Sequence, residues 1–160
     1  MINIGKIGLR KKMQVSARVA VNIPKNFGIN QERVDVTIDG FITNLDGKFL
    51  LEACGTCCVS LDCNLCLTPV ELRLDFDIVE TYVDETEATE EEHITFTDKI
   101  IDLTPAAERN LFINIPMRSV CSADCAGLCP KCGKNLNKGQ CNCDAGINEH
   151  FRELLSIDFD

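Results

Sequence analysis

Apolar and polar residues alternate one by one over long stretches of this 160-residue chain. Val15, Ala17, Val19 and Val21 are spaced by Ser16, Arg18 and Ala20, and Val34, Val36 and Ile38 by Asp35 and Thr37. A period of two sends successive side chains to opposite faces of an extended backbone, so each stretch reads as a half-buried strand. Asp46-Gly47, between Phe41-Ile42 and Phe49-Leu50-Leu51, predicts a tight hairpin, because that dipeptide accepts the positive φ angles a two-residue turn requires. A third alternation, Val70, Leu72, Leu74, Phe76 and Ile78, continues the pattern as an antiparallel meander.

Beyond Tyr82 the pattern changes. Residues 83–92 are dominated by acids, lack an apolar face and predict an acidic loop. Ile94–Phe96 reads as a short strand, and Ile101-Asp-Leu103 leads to Thr104-Pro105, an N-cap followed by proline at the first helical position. The helix spans 105–115, must stop at Pro116 and leads the chain to Arg118 and Cys121. A last short helix over 148–156 places Phe151, Leu154 and Leu155 on one side. The fold class is α+β: mainly an antiparallel β meander, with one or two short helices and a C-terminal cysteine-rich zinc-knuckle region. Residues 1–120 form the β-rich core, and residues 121–160 a zinc-binding region packed on it.

The formal net charge of −9 is unevenly spread. Residues 1–31 contain Lys6, Arg10, Lys11, Lys12, Arg18 and Lys25 and no acid, whereas 71–102 hold twelve acids against Arg73 and Lys99. Arg118, Lys131, Lys134 and Lys138 restore a basic balance against Asp124. A nucleic-acid partner would therefore need a local basic surface, because the overall field repels phosphate. No apolar run approaches the roughly 18–20 residues of a membrane span, and the N-terminus has no secretory h-region. A cytoplasmic location is the expectation, where clustered cysteines favour metal over disulfides.

Six of the eleven cysteines fall between positions 121 and 143. Cys129-Pro-Lys-Cys132-Gly has the form of a zinc knuckle, and with Cys141 and Cys143 it completes a four-thiolate set. Cys121 and Cys125 then need two partners, which the distant pair Cys63 and Cys66 supplies. Two zinc ions follow from that division; a single site, with the other thiols merely buried, stays open. Cys54, Cys57 and Cys58 read as small strand fillers, since Cys54 and Cys57 would point to opposite faces of a strand. Cys125-x3-Cys129-x2-Cys132 shares the spacing of radical-SAM iron–sulfur enzymes, but the chain is too short for their barrel. A redox-switch factor that holds zinc when reduced is the better rival. His93 and His150 have no motif partner, and Walker, GxSxG and GxGxxG patterns are absent, so no enzymatic activity is expected.

Cys63-Asn-Leu-Cys66-Leu-Thr-Pro69-Val70, Ile101-Asp-Leu103, Asn114-Ile-Pro116-Met117 and Cys121-x3-Cys125-Ala-Gly127-Leu128-Cys129-Pro130-x-Cys132-Gly133-x-Asn135-Leu136-Asn137 together resemble the YceD family. The likeness covers most of the chain beyond residue 34. It implies a small cytoplasmic factor supporting accumulation or processing of 23S ribosomal RNA, through precursor RNA, a large-subunit assembly intermediate, or a ribosomal or assembly-factor protein. Asn64-Leu65 departs from the family, where an arginine commonly stands between the first two cysteines. Lys6, Arg10, Lys11, Lys12, Arg118, Lys131, Lys134 and Lys138 are the candidate RNA contacts. The alternative is a zinc-containing protein-binding adaptor or redox-sensitive factor that never touches RNA.

Overall fold

A computed structural model describes residues 1–5, 7–87 and 94–143. Four long strands dominate it: β2 (Lys12–Asn22), β3 (Arg33–Leu45), β4 (Lys48–Asp62) and β5 (Pro69–Asp84), each antiparallel to the next. Two shorter pieces, β6 (Ile94–Phe96) and β7 (Ile100–Ile101), precede the helix α1 (Thr104–Asn114), and β1 (Ile2–Asn3) opens the chain. The main sheet runs β2-β3-β4-β5-β6, and β1 pairs with β7 in a two-stranded sheet.

The alternating stretches become strands because one face of the sheet is covered. Val15, Val21, Val34, Val36, Ile38, Val59, Phe76 and Ile78 turn inward and are buried, together with Ala106, Ala107 and Leu111 of α1. Phe112 of α1 stacks on Phe27, with ring centroids 4.3 Å apart, and Arg109 and Asn110 both bond Glu80 of β5. The β3–β4 hairpin turns at Asp46 and Gly47 with φ of 53° and 95°, the paired left-handed geometry that suits a twisted two-residue turn.

Three boundaries differ from the sequence expectation. The acidic loop does not begin at Val83: β5 continues to Asp84, Val83 is buried, and its Cα faces Thr95 across a parallel pairing with β6. Strict alternation fails there because Tyr82 and Val83, successive residues, are both buried. Of the remaining loop, Glu85–Glu87 is a 3-10 turn and 88–93, with His93, lies outside the described residues. Thr104 is the first helical residue rather than the cap: Asp102 Oδ1 accepts from both its N–H and its hydroxyl, at 3.0 and 2.8 Å. The helix ends at Asn114, and Ile115 is extended, as a residue before proline prefers.

The N-terminal segment is not a free basic arm. Ile4 and Ile7 are buried, Ile4 N–H bonds Lys99 O, and Asn44 Nδ2 donates to Ile7 O at 3.0 Å. Lys12 has the counter-charge its own segment lacks, Glu52 of β4 at 3.4 Å. The expected helix over 148–156, with His150, lies outside the described residues. Among the described residues no helix is long and apolar enough to cross a membrane.

Candidate metal centre

At the far end of β4 the chain runs straight from Asp62 into Cys63. Leu67 N–H returns to Cys63 O and Cys63 N–H to Thr68 O, both at 2.9 Å, which folds residues 63–68 into a tight turn with Leu67 at φ 56°. Cys63 and Cys66 thereby face the segment that follows α1. Asn64, between these two cysteines, works internally. Its Oδ1 accepts from Ser119 N–H at 2.6 Å, while its own N–H donates to Ser119 O at 2.8 Å. Ser119 Oγ also donates to Asp62 O, so the chain entering the cysteine-rich region is tied to the end of the sheet.

The result is two groups of four thiols. Cys63, Cys66, Cys121 and Cys125 have sulfurs within 4.8 Å of one another, and so do Cys129, Cys132, Cys141 and Cys143. In the first, Cys63 and Cys125 sulfurs lie 3.8 Å apart and those of Cys66 and Cys121 3.6 Å. A disulfide would need about 2.05 Å, whereas four sulfurs at about 2.3 Å from a central ion stand roughly 3.8 Å apart. The donor set therefore fits a tetrahedral metal, and each group can hold one ion.

The two groups interlock. Leu128 N–H donates to Leu65 O at 3.0 Å, and Gly127, at φ 71°, lets the backbones approach. Asn135 Nδ2 reaches the Thr68 hydroxyl at 3.2 Å, and Asn137 Nδ2 donates to Cys125 sulfur at 3.2 Å while its Oδ1 accepts from Ala126 N–H. Cys129 N–H bonds Lys134 O, and Gly133 N–H returns to Cys129 O at φ 70°, closing the second turn.

Electrostatics within each group are uneven. Backbone N–H groups of Cys132 and Lys131, then the Cys141 thiol, draw Cys129 down to about 6. Burial pushes Cys63 up, but N–H groups of Cys121, Leu65 and Cys66 outweigh it and bring the thiol to about 6. The Thr68 hydroxyl and backbone lower Cys66. Cys121 and Cys143 are pushed up to about 12, by Cys125 and Cys132 respectively before other neighbours. Cys63 and Cys66 in the first group and Cys129 in the second thus ionise more readily than Cys121 and Cys143, and a divalent cation would release the remaining protons.

The family model described as large ribosomal RNA subunit accumulation protein YceD matches residues 51–157. The chain belongs to the YceD family. Both thiol groups lie within the matched segment. An uncharacterized protein of Mycobacterium tuberculosis is 26% identical over 144 residues, covering 84% of this chain and 70% of its own length, and a Mycobacterium bovis protein matches equally. A chloroplastic YCED homolog 1 of Arabidopsis thaliana, named as a large ribosomal RNA subunit accumulation protein, is 38% identical over 45 residues, 28% of this chain and 14% of that one. No solved structure matches.

The basic residues singled out from sequence separate into two sets. Arg10 and Lys11 are exposed beside Lys12, which pairs with Thr43 and through it with Leu50 of β4; Lys6 lies outside the described residues. Cys63 lies thirteen residues beyond Leu50, so at about 3.3 Å per residue the N-terminal set is roughly 40 Å from the knuckles. The two sets do not form one surface. Arg118, Lys131 and Lys138 are exposed beside the thiols, while Lys134 donates to Gln140 O at 2.7 Å and braces its own loop. Of the three further cysteines, Cys57 is a buried core filler, whereas Cys54 and Cys58 are exposed on the outer face rather than filling anything. Sequence spacing missed the roles of Asn64, Ser119, Asn135 and Asn137; the two later asparagines were visible only as part of the family motif.

Proposed function

We propose that each thiol group holds one zinc ion and that the stiffened knuckles support 23S rRNA accumulation by engaging precursor RNA or a large-subunit assembly intermediate, in the cytoplasm and without catalysis. The observation that carries this reading is the pair of interlocked, tetrahedrally spaced thiol groups inside the family-matched segment. Residues 121–160 act in it as the zinc-binding region on a 1–120 core. Zinc is the natural ion for four thiolates and a purely structural task. Arg118, Lys131 and Lys138 then offer the phosphate contacts beside the knuckles, while Arg10, Lys11 and Lys12 stand toward the other end of β4.

Metal analysis of anaerobically purified protein should find two zinc ions per chain; one or none removes the two-site scheme, and a brown chromophore points to iron–sulfur. Changing Arg118, Lys131 and Lys138 together to glutamate should weaken binding to a large-subunit RNA fragment. It should also flatten the log–log salt dependence by roughly 0.7–0.9 for each phosphate that is no longer neutralised. Unchanged affinity and slope, with zinc retained, would rule out direct RNA binding by this surface.

The second reading, a protein-binding adaptor, is favoured by apolar side chains beside the same knuckle. Leu67 and Met117 line a groove of about 340 Å³ and are 62% and fully exposed. Capture of a ribosomal protein that depends on Leu67 and survives the triple glutamate change would put this reading first.

A further inference from the structure

β3 and β4 pair from Leu45 and Lys48 as far as Thr37 and Thr56, and then part. Beyond that point β2 holds β3 to Arg33, and β5 holds β4 to Asp62. The far end of the gap is closed by Asn30, whose N–H donates to Ser60 O at 2.8 Å, and by Gln31, whose Oε1 accepts from Ser60 N–H at 3.0 Å. Between the two closures lies a cleft of about 630 Å³, a volume within the range of small-molecule sites. Ser60 turns its peptide groups toward β3, so two residues earlier Cys58 does the same and its N–H and C=O face the gap.

Three strands each bring one arginine to this cleft: Arg18 from β2, Arg33 from β3 and Arg73 from β5. Arg73 is engaged by Asp75 at 3.3 Å through Nε and Nη2, and Asp75 also accepts from the Thr56 hydroxyl at 2.9 Å. The guanidiniums of Arg18 and Arg33 have no ion pair or hydrogen bond among the described residues. In a chain with 25 acids against 16 basic residues, Arg18 stands opposite Thr37 and Arg33 opposite Asn22, four residues along the same strand pair, so the two unpaired guanidiniums reach the gap from two points along it, a placement that suits a phosphate held between them. Asp39, Glu52, Glu71 and Asp77 occupy the same outer face through the strand pairing and repel a polyanion laid along the sheet, so the cleft favours a terminal phosphate. Asp35 lines the cleft as well and supplies an acceptor for a ligand hydroxyl.

We propose that this cleft binds the phosphate monoester of a ribonucleotide, with Arg18 and Arg33 on the phosphate and Asp35 accepting from a ribose hydroxyl. The monoester can come from a free nucleotide or from the 5′-phosphorylated end of an RNA. The site lies on the sheet face, apart from the knuckles, and holds whether or not those meet ribosomal RNA.

Two exposed thiols make the test internal. Cys58 lines the cleft, and Cys54, four residues earlier on the same face, lies outside it. Zinc-loaded full-length protein is alkylated with iodoacetamide in the presence of AMP, adenosine, or a hexaribonucleotide bearing either a 5′-phosphate or a 5′-hydroxyl, with each thiol followed by fragment-ion mass spectrometry. At ligand about ten times its Kd, Cys58 should react about tenfold more slowly while Cys54 is unaffected. Arg18→Ala and Arg33→Ala should each raise the concentration for half-protection by about tenfold, with zinc content and circular dichroism unchanged and partial recovery in the lysine variants. Protection by AMP alone identifies a free nucleotide, and protection by the phosphorylated oligomer alone identifies an RNA end. Absence of protection at Cys58 by both phosphorylated probes overturns the proposal, as does equal protection at Cys54 or by the unphosphorylated probes.

Discussion

Asn137 shows how much one side chain carries here. It sits on the second knuckle yet donates to a sulfur of the first group, at 3.2 Å from Cys125. Groups that orient metal ligands commonly change metal affinity by about 10- to 100-fold when removed. Asn137→Ala should therefore speed zinc release from the Cys63 group to a chelator by roughly tenfold or more while the Cys129 group keeps its ion; simultaneous loss of both would contradict that assignment. Spacing in the sequence displays which thiols belong together because ligand number is countable. It cannot display Asn137, Asn64 or Ser119, whose partners are set by how two distant turns meet. Cys57 carries a different consequence. Burial first, then Cys58 and Asp75, push its thiol up to about 11 from 9. The unfolded chain ionises this group from about pH 9 while the folded one keeps it protonated, so the stability it contributes is intact below pH 9 and drains away between 9 and about 11. Urea titrations across that window should show the fall in wild-type and a shallower one in Cys57→Val.

At the scale of elements, the long strands and their hairpin were legible because alternation and Asp46-Gly47 are local signals. The two-residue strands β1 and β7 were not. Their pairing of Ile2 with Ile101 joins the two ends of the described core, and a segment holding six basic residues and no acid invites a reading as a loose arm. Ile4 and Ile7 are instead buried, and a buried isoleucine contributes about 1.5–3 kcal/mol. Deleting residues 1–8 should cost several kcal/mol and lower the thermal midpoint by about 10 °C or more, scaling from a few degrees per kcal/mol for a domain of this size. An unchanged midpoint would show the segment to be dispensable. Deleting it therefore tests folding before it tests RNA binding. The capping error at Thr104 is local instead: Asp102, two residues earlier, accepts from both its N–H and its hydroxyl, and a Thr-Pro start gives no sign of it.

At the scale of the molecule the grouped thiols stand apart from the main hydrophobic cluster. Among the described residues the main hydrophobic cluster contains Cys57 and none of the eight grouped thiols. Stripping the metal should leave strand circular dichroism largely intact while trypsin gains access to Arg118, Lys131, Lys134 and Lys138; collapse of the sheet signal at the same chelator concentration would show that the two parts fold as one. The net charge of −9 describes no single surface, because charge is read per surface and not per chain. Long-range placement decides it: Lys12 and its neighbours Arg10 and Lys11 stand toward one end of β4 and the knuckles at the other.

The separation of Cys66 from Cys121 by 55 residues also sets an order of events during synthesis. At about 5–20 residues per second, the first pair of thiols emerges roughly 3–11 s before either of its partners. The meander can form in that interval, its pairings being between chain neighbours. The first thiol group can therefore close only after the meander and α1 have been made, and the second only after it, so a shortage of the ion they would bind should leave molecules with a finished sheet and an open C-terminal third.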